Sequence, residues 1–288
     1  MDDSELRQRD FFKKLCRGEQ HLVELKGIID TYQGSHPYEM RKTVTRKKDV
    51  WRMHITEQPR PETALILGDA LYNIRASLDY LMGEVCRRRS DATKVYFPTP
   101  AIQQRIWEIP QVEGENEERT QMRKNWSLFE RAMPSGVLAL LKGLEIPKRG
   151  PIKGGEFVNH LVALNALANK DRHTRLHVLA SGLQGSTVFS KARLANGETL
   201  LFGPSDSESE LYEDGAIVPM PPGVVDVEIH GTVKVVVPIG AKGVYAALPD
   251  AADEIRAYVL SLAAQFVEYL RSDVVPLTHG APTNEETT

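Results

Sequence analysis

The sequence predicts an α+β protein, a bundle of about four long helices carrying a small inserted antiparallel β-sheet. Three observations predict it. Apolar residues recur at three- and four-residue steps in segments near 3–33, 62–89, 156–175 and 249–272. Residues 176–240 are rich in β-branched residues broken by Gly, Pro and Asp turns. The composition, 41% hydrophobic and 26% charged over 288 residues, is that of an ordinary folded chain with a sizeable core. It excludes a disordered chain, a collagen-like chain and a disulfide scaffold.

The first helix spans 3–33, with Leu15, Leu22, Leu25, Ile28 and Ile29 on its apolar side, and Gly34-Ser35-His36-Pro37 stops it. Residues 41–55 alternate like a strand or hairpin arm, and their Lys and Arg make one strand face basic. Two prolines at 59 and 61 precede the second helix, 62–89, whose seam is Leu67, Leu71, Ile74, Leu78, Leu81 and Val85. It closes on Arg87-Arg88-Arg89, cations that suit the carbonyl end of a helix or a phosphate. Tyr96-Phe97-Pro98 reads as an extended turn, 113–118 as an acidic loop and 125–133 as a short helix. A leucine cluster follows Pro134, and 146–155 is a Pro/Gly loop. The third long helix, 156–175, leads into strand 176–181. The last, 249–272, is capped by Asp250 or Asp253 and carries Leu262, Phe266 and Leu270 on one face. Residues 1–275 read as one domain, and 276–288 as a disordered tail.

Charge and motifs narrow the function. The formal net charge is -3, which does not suit a nucleic-acid-coating protein, although basic stretches at 41–52 and 87–89 leave room for local patches. Cys16 and Cys86 follow no metal or disulfide spacing and read as reduced, mostly buried thiols. The charged start and the lack of a long apolar run point to the cytoplasm and away from a membrane. Phosphate-loop, dinucleotide-binding and hydrolase-elbow motifs are absent, so no cofactor is expected. His36, His54 and His230 are isolated, His160 lies far from His173, and no metal-ligand pattern exists.

The informative feature is polar. On the third helix Asn165, Asn169 and His173 recur at four-residue steps, with Asp171 and Arg172 beside them, and His177 extends the row if the helix continues. The surrounding stretch 161–168 is almost wholly apolar, so the helix should be buried most of the way round. The second helix sets Asp69 and Asn73, and Arg75 and Asp79, four apart among apolar neighbours. Buried amides and charges require partners. Asp79 can pair with Arg75 along the helix or with Arg172 or His173 across it. The stripe is either a network that fixes helix register or a cleft in which Arg, His, Asn and Asp converge for acid–base or phosphate chemistry.

Residues 67–82 (LGDALYNIRASLDYLM), the Phe97-Pro98 step and residues 164–178 (LNALANKDRHTRLHV) together resemble a widespread group of bacterial proteins. Its pattern is a helix of Asn-x-x-Arg-x-x-Leu-Asp character, a Phe-Pro and a helix ending in Asp-Lys-His-Arg. Here Asn73 stands two residues before Arg75, and Asp171-Arg172-His173 has Arg for Lys. More remotely the helical part is similar to the HEPN (higher eukaryotes and prokaryotes nucleotide-binding) superfamily. That resemblance implies a helical bundle, commonly a homodimer, whose catalytic members are metal-independent ribonucleases of toxin or defence systems with an Arg-x(4–6)-His motif. Arg172 and His177 match the spacing, and His173 is a second candidate. The resemblance implies RNA or a nucleotide as partner, and a protein such as an antitoxin. His177 or His173 would move the proton of the 2′-hydroxyl or the leaving oxygen, and Arg172 would stabilise phosphate charge. Asn169 and Asp79 would orient them, alongside Asn165, Asp171, Asn73 and Arg75. The alternative is a non-catalytic nucleotide-, ligand- or protein-binding module with a structural stripe.

Overall fold

A computed structural model describes residues 7–44, 49–87, 96–97, 133, 135–143, 160–173, 176–183, 189–202, 212–218, 220–238 and 245–272. The acidic loop 113–118, most of the short helix expected at 125–133, the loop 146–155, Arg88-Arg89 and the tail 276–288 lie outside the described residues.

The α+β class holds, but the four-long-helix bundle with one inserted sheet does not. The described residues form five helices of unequal length and three separate antiparallel sheets. The helices are α1 (Asp10–Gly34), α2 (Pro61–Arg87), α3 (Ser135–Gly143), α4 (His160–His173) and α5 (Asp250–Ser272). The strands are β1 (Tyr38–Val44), β2 (Asp49–Ile55), β3 (Leu179–Leu183), β4 (Phe189–Leu194), β5 (Thr199–Phe202), β6 (Tyr212–Glu213), β7 (Ile217–Val218), β8 (Val224–His230), β9 (Val233–Pro238) and β10 (Tyr245–Leu248).

Helices α1 and α2 make the one extended helix–helix contact. Buried Phe11, Leu15, Gly18, Leu22, Leu25 and Ile29 follow steps of four and three, a narrow stripe that faces one partner. The α2 seam from Leu67 to Val85 is equally buried. Gly18 lets the two backbones close, because a methyl there would lie 2.8 Å from Ile74 Cγ1 and 3.2 Å from the Ala70 carbonyl oxygen. Helix α1 ends at Gly34, and His36 then takes φ 49 just before Pro37, a residue that cannot continue the helix. Ser35 Oγ and N–H satisfy late carbonyls of the helix. Pro61 opens α2 at the position where its missing N–H is harmless.

Helix α4 is only 14 residues long among the described residues, and α3 only nine. Each packs one short apolar side, Leu161, Ala163, Leu164 and Leu167 on α4 and Val137 and Leu141 on α3. Helix α5 begins at Asp250, as its acidic first turn predicts. Its buried row includes Ile255, Val259, Leu262 and Phe266, and the helical core takes in Val235, Val237, Ala246 and Leu248 from β9 and β10.

The sheets explain why a single insertion fails. Their strand orders are β1-β2-β7, β10-β9-β3-β6 and β5-β4-β8. The first hairpin lies between α1 and α2 in sequence and recruits β7 from the later β-rich region, through Trp51 opposite Val218. The β4–β5 hairpin turns at Asn196-Gly197, where Gly197 has φ 86 and Asn196 Oδ1 accepts the Glu198 N–H at 3.0 Å. Two small apolar clusters knit the sheets, one around Met53, Leu183 and Val233, the other around Trp51, Ala192 and Val224.

Gly18→Ala is expected to destabilise the chain by about 1–3 kcal/mol, because Ile74 and the Ala70 backbone must both give way. Urea denaturation measures it. An unchanged midpoint would contradict the close α1–α2 approach.

Candidate functional site

The polar stripe divides into two halves with different surroundings. On α2 the side chains of Asn73, Arg75 and Asp79 are engaged within the fold. Asn73 is 8% exposed, and its Nδ2 donates to the Asp69 carbonyl at 2.8 Å. Its Oδ1 accepts from Lys14 Nζ of α1 at 3.3 Å, and the same ammonium lies 5.7 Å from the Tyr72 ring centroid. Arg75 pairs with Asp79 one turn along. Arg75 Nη2 also donates to the Phe97 carbonyl at 3.2 Å, and Asp79 Oδ1 accepts the Phe97 N–H at 2.8 Å. The two charges thus grip both backbone groups of one residue. The Phe97 ring is buried edge-on against Phe266 of α5, centroids 6.2 Å apart. Asp79 therefore makes the intrahelical pair with Arg75, one of the two expected, and bonds the Phe97 backbone as well.

On α4 the stripe turns outward. Asn165 is half-buried and Asn169 exposed, with Asn169 Nδ2 donating to Asn165 Oδ1 at 3.3 Å. Over 161–168 no residue is exposed, in line with the expected burial most of the way round, and exposure begins beyond that stretch at Asn169 and Asp171. Lys170 Nζ reaches the Pro238 carbonyl at 3.3 Å, which ties the helix to β9. Arg172 and His173 form the last turn, and their side chains lie outside the described residues. The helix ends at His173, so His177 does not extend the helical row. It sits exposed in the extended segment before β3, a different backbone setting from Asn165 and Asn169.

Asp171 joins the two halves. Its carboxyl group lies against α2 at Gly68, where a methyl would stand 2.6 Å from its carbon and both oxygens. Burial, and then the charge of nearby Asp69, raise its pKa above the ordinary 3.8. Neither carboxylate makes a hydrogen bond or ion pair among the described residues.

Other candidates are absorbed elsewhere. Arg41 and Arg52 stand opposite each other on the β1–β2 hairpin, but Arg41 pairs with Glu39, Arg52 donates to the Gly215 carbonyl, and neighbouring His54 faces Asp214 at 3.4 Å. Among the described residues its cations thus meet Glu39, the Gly215 carbonyl and Asp214, while Arg46, Lys47 and Lys48 of the basic stretch lie outside them. Burial pushes the Cys86 thiol up to about 11, and Cys16 is partly exposed. Among the described residues no group of three or more His, Cys, Asp or Glu could hold a metal ion, and no helix is long and apolar enough to cross a membrane.

Sequence reasoning missed Lys14, Tyr72 and the role of Phe97. A cross-helix partner carries no local signature, so Lys14 was invisible. The Arg75–Asp79 spacing with a nearby Phe-Pro was the available signal for the third.

Phe97→Ala is expected to cost about 3–5 kcal/mol, read from chemical denaturation. Asp171 is a second test. A raised carboxyl pKa means the folded chain binds that proton more tightly than the unfolded chain does. Its contribution is favourable below about pH 3.8 and is lost as pH rises through the folded value. Asp171→Asn should therefore raise the melting temperature at neutral pH, with the gain fading towards pH 3. A gain independent of pH would contradict the assignment. Comparisons with models of known families, with curated proteins and with solved structures found no match to this chain.

Proposed function

We propose that this chain is a HEPN-like, metal-independent ribonuclease acting through the solvent-facing end of α4. The observation that carries the reading is the exposed His177, five residues after Arg172, at the end of a helix whose Asn169 and Asp171 also face outward. Asn73, Arg75 and Asp79 of α2, by contrast, are already bonded. In this reading the His177 imidazole takes the proton of a ribose 2′-hydroxyl, so that its oxygen attacks the adjacent phosphorus and the 5′-oxygen leaves. Arg172 offers a guanidinium to the phosphate charge that builds in the transition state. Asn169 and Asn165 contribute amide donors and acceptors along the substrate. The RNA supplies its own nucleophile. His173, four residues before His177, is the alternative proton carrier, and a homodimer would double the site.

A second reading is favoured by the saturation of Asn73, Arg75 and Asp79 within the fold. There the stripe is architecture and the chain a non-catalytic nucleotide- or protein-binding module, an antitoxin-type partner included.

The deciding assay is cleavage of mixed RNA in EDTA. The ribonuclease reading expects cleavage by the wild type and a loss of about a hundredfold or more in His177→Ala. His177 is exposed, so the melting temperature should stay within about 1 °C. Cleavage unchanged by His177→Ala moves the proton transfer to His173. No cleavage by the wild type leaves the binding module.

A further inference from the structure

Next to the α4 end, helix α2 presents a group of side chains that the cleavage chemistry does not use. Tyr72 is 51% exposed, a large aromatic ring left open on a helix surface. Lys14 of α1 stands 5.7 Å from its centroid and is held there by Asn73, itself bonded to the Asp69 carbonyl. Asp69 lies three residues before Tyr72 and Gly68 four before, so both share the flank of the helix from which the ring projects. The Asp171 carboxyl group rests over Gly68. Two carboxylates with no partner among the described residues therefore gather within one helical turn of an open aromatic ring and an immobilised ammonium.

Each part has a complementary group on one kind of ligand. An exposed ring offers a stacking face to any base. An ammonium beside it suits the phosphate attached to that base. A carboxylate accepts two parallel hydrogen bonds from adjacent N–H donors, and among the common bases the guanine edge alone carries such a pair, N1–H beside N2–H. Adenine and cytosine present one amino donor beside an acceptor nitrogen, which a carboxylate repels. The fold leaves Asp69 and Asp171 repelling each other with no internal compensation, and donors from a ligand would offset that repulsion.

We infer that Tyr72, Lys14, Asp69 and Asp171 form a guanine-nucleotide site on the α2 flank, with the base on Tyr72, its Watson–Crick edge towards the carboxylates and its phosphate towards Lys14. This rests on the proposed action on RNA, for which it supplies a base preference next to the α4 end, but it is tested without cleavage. Guanosine 5′-monophosphate, with the adenosine, cytidine and uridine monophosphates as comparators, is titrated calorimetrically into the full chain and into Tyr72→Ala, Tyr72→Phe and Asp69→Asn/Asp171→Asn. All of these positions are exposed, so the variants should fold, which circular dichroism checks.

The expected result is guanine binding about tenfold or more tighter than adenine. Tyr72→Ala should weaken it by about tenfold, and Tyr72→Phe should leave it intact. The double Asn variant should bind the four bases alike. Equal binding of all four by the wild type, no binding, or indifference to Tyr72→Ala would overturn the site. Guanine preference in a chain that cleaves no RNA would sink the ribonuclease reading and keep the site. Cleavage without guanine preference would do the reverse.

Discussion

The arrangement around Phe97 constrains the rest of the helical core. A buried ion pair is worth little unless every remaining donor and acceptor is filled. Arg75 and Asp79, both partly buried, go some way towards that condition by bonding the carbonyl and N–H of one residue. The same bonds satisfy two backbone groups that a non-helical segment would otherwise leave orphaned beside a helix. Held by its backbone, Phe97 can insert its ring fully against Phe266, so a polar contact on α2 determines an apolar contact with α5. The α1–α2 approach at Gly18 completes the frame from the other side of α2.

This frame separates architecture from chemistry. Residues that look alike in the sequence, Asn73 and Asn169 or Asp79 and Asp171, end in opposite situations. Asn73 bonds through both its amide nitrogen and its oxygen, and Asp79 through Oδ1, inside the protein, and substitution there reads as lost stability. Asn169 and Asp171 face solvent at the end of α4, where an amide or carboxylate can still meet a ligand. The unmatched Asp69–Asp171 pair is a place where local electrostatics disagree with the fold, and such disagreements concentrate at sites that bind something.

How much of this was legible follows from the range of each interaction. Helix α2 was legible almost to the residue, 62–89 expected against Pro61–Arg87, because its seam, its opening proline and its basic end are all local signals. Helix α5 was equally plain from Asp250 and its apolar row. The sheets were legible as strands but not as three sheets, since the pairing of Trp51 with Val218 joins segments whose sequences say nothing of each other. The α4 stripe was legible as a row, but its exposure was not. Residues 161–168 are buried or half-buried throughout, and exposure begins only at Asn169, just past the apolar stretch. His177 could not be placed because the end of α4 at His173 has no glycine or proline to mark it. The notch at Gly68 that receives Asp171 is a tertiary event with no sequence signature.

The central claim is that Asn73, Arg75 and Asp79 of the polar stripe are structural and that its α4 residues are functional. Thermal melts of Arg75→Ala and Asn169→Ala, run in parallel at neutral pH, test it most directly. Loss of the Arg75 contacts should cost about 1–3 kcal/mol, a drop of several degrees, while Asn169→Ala should melt within about a degree of the wild type. Equal losses in the two variants, or the larger loss in Asn169→Ala, would contradict the division on which the functional reading stands.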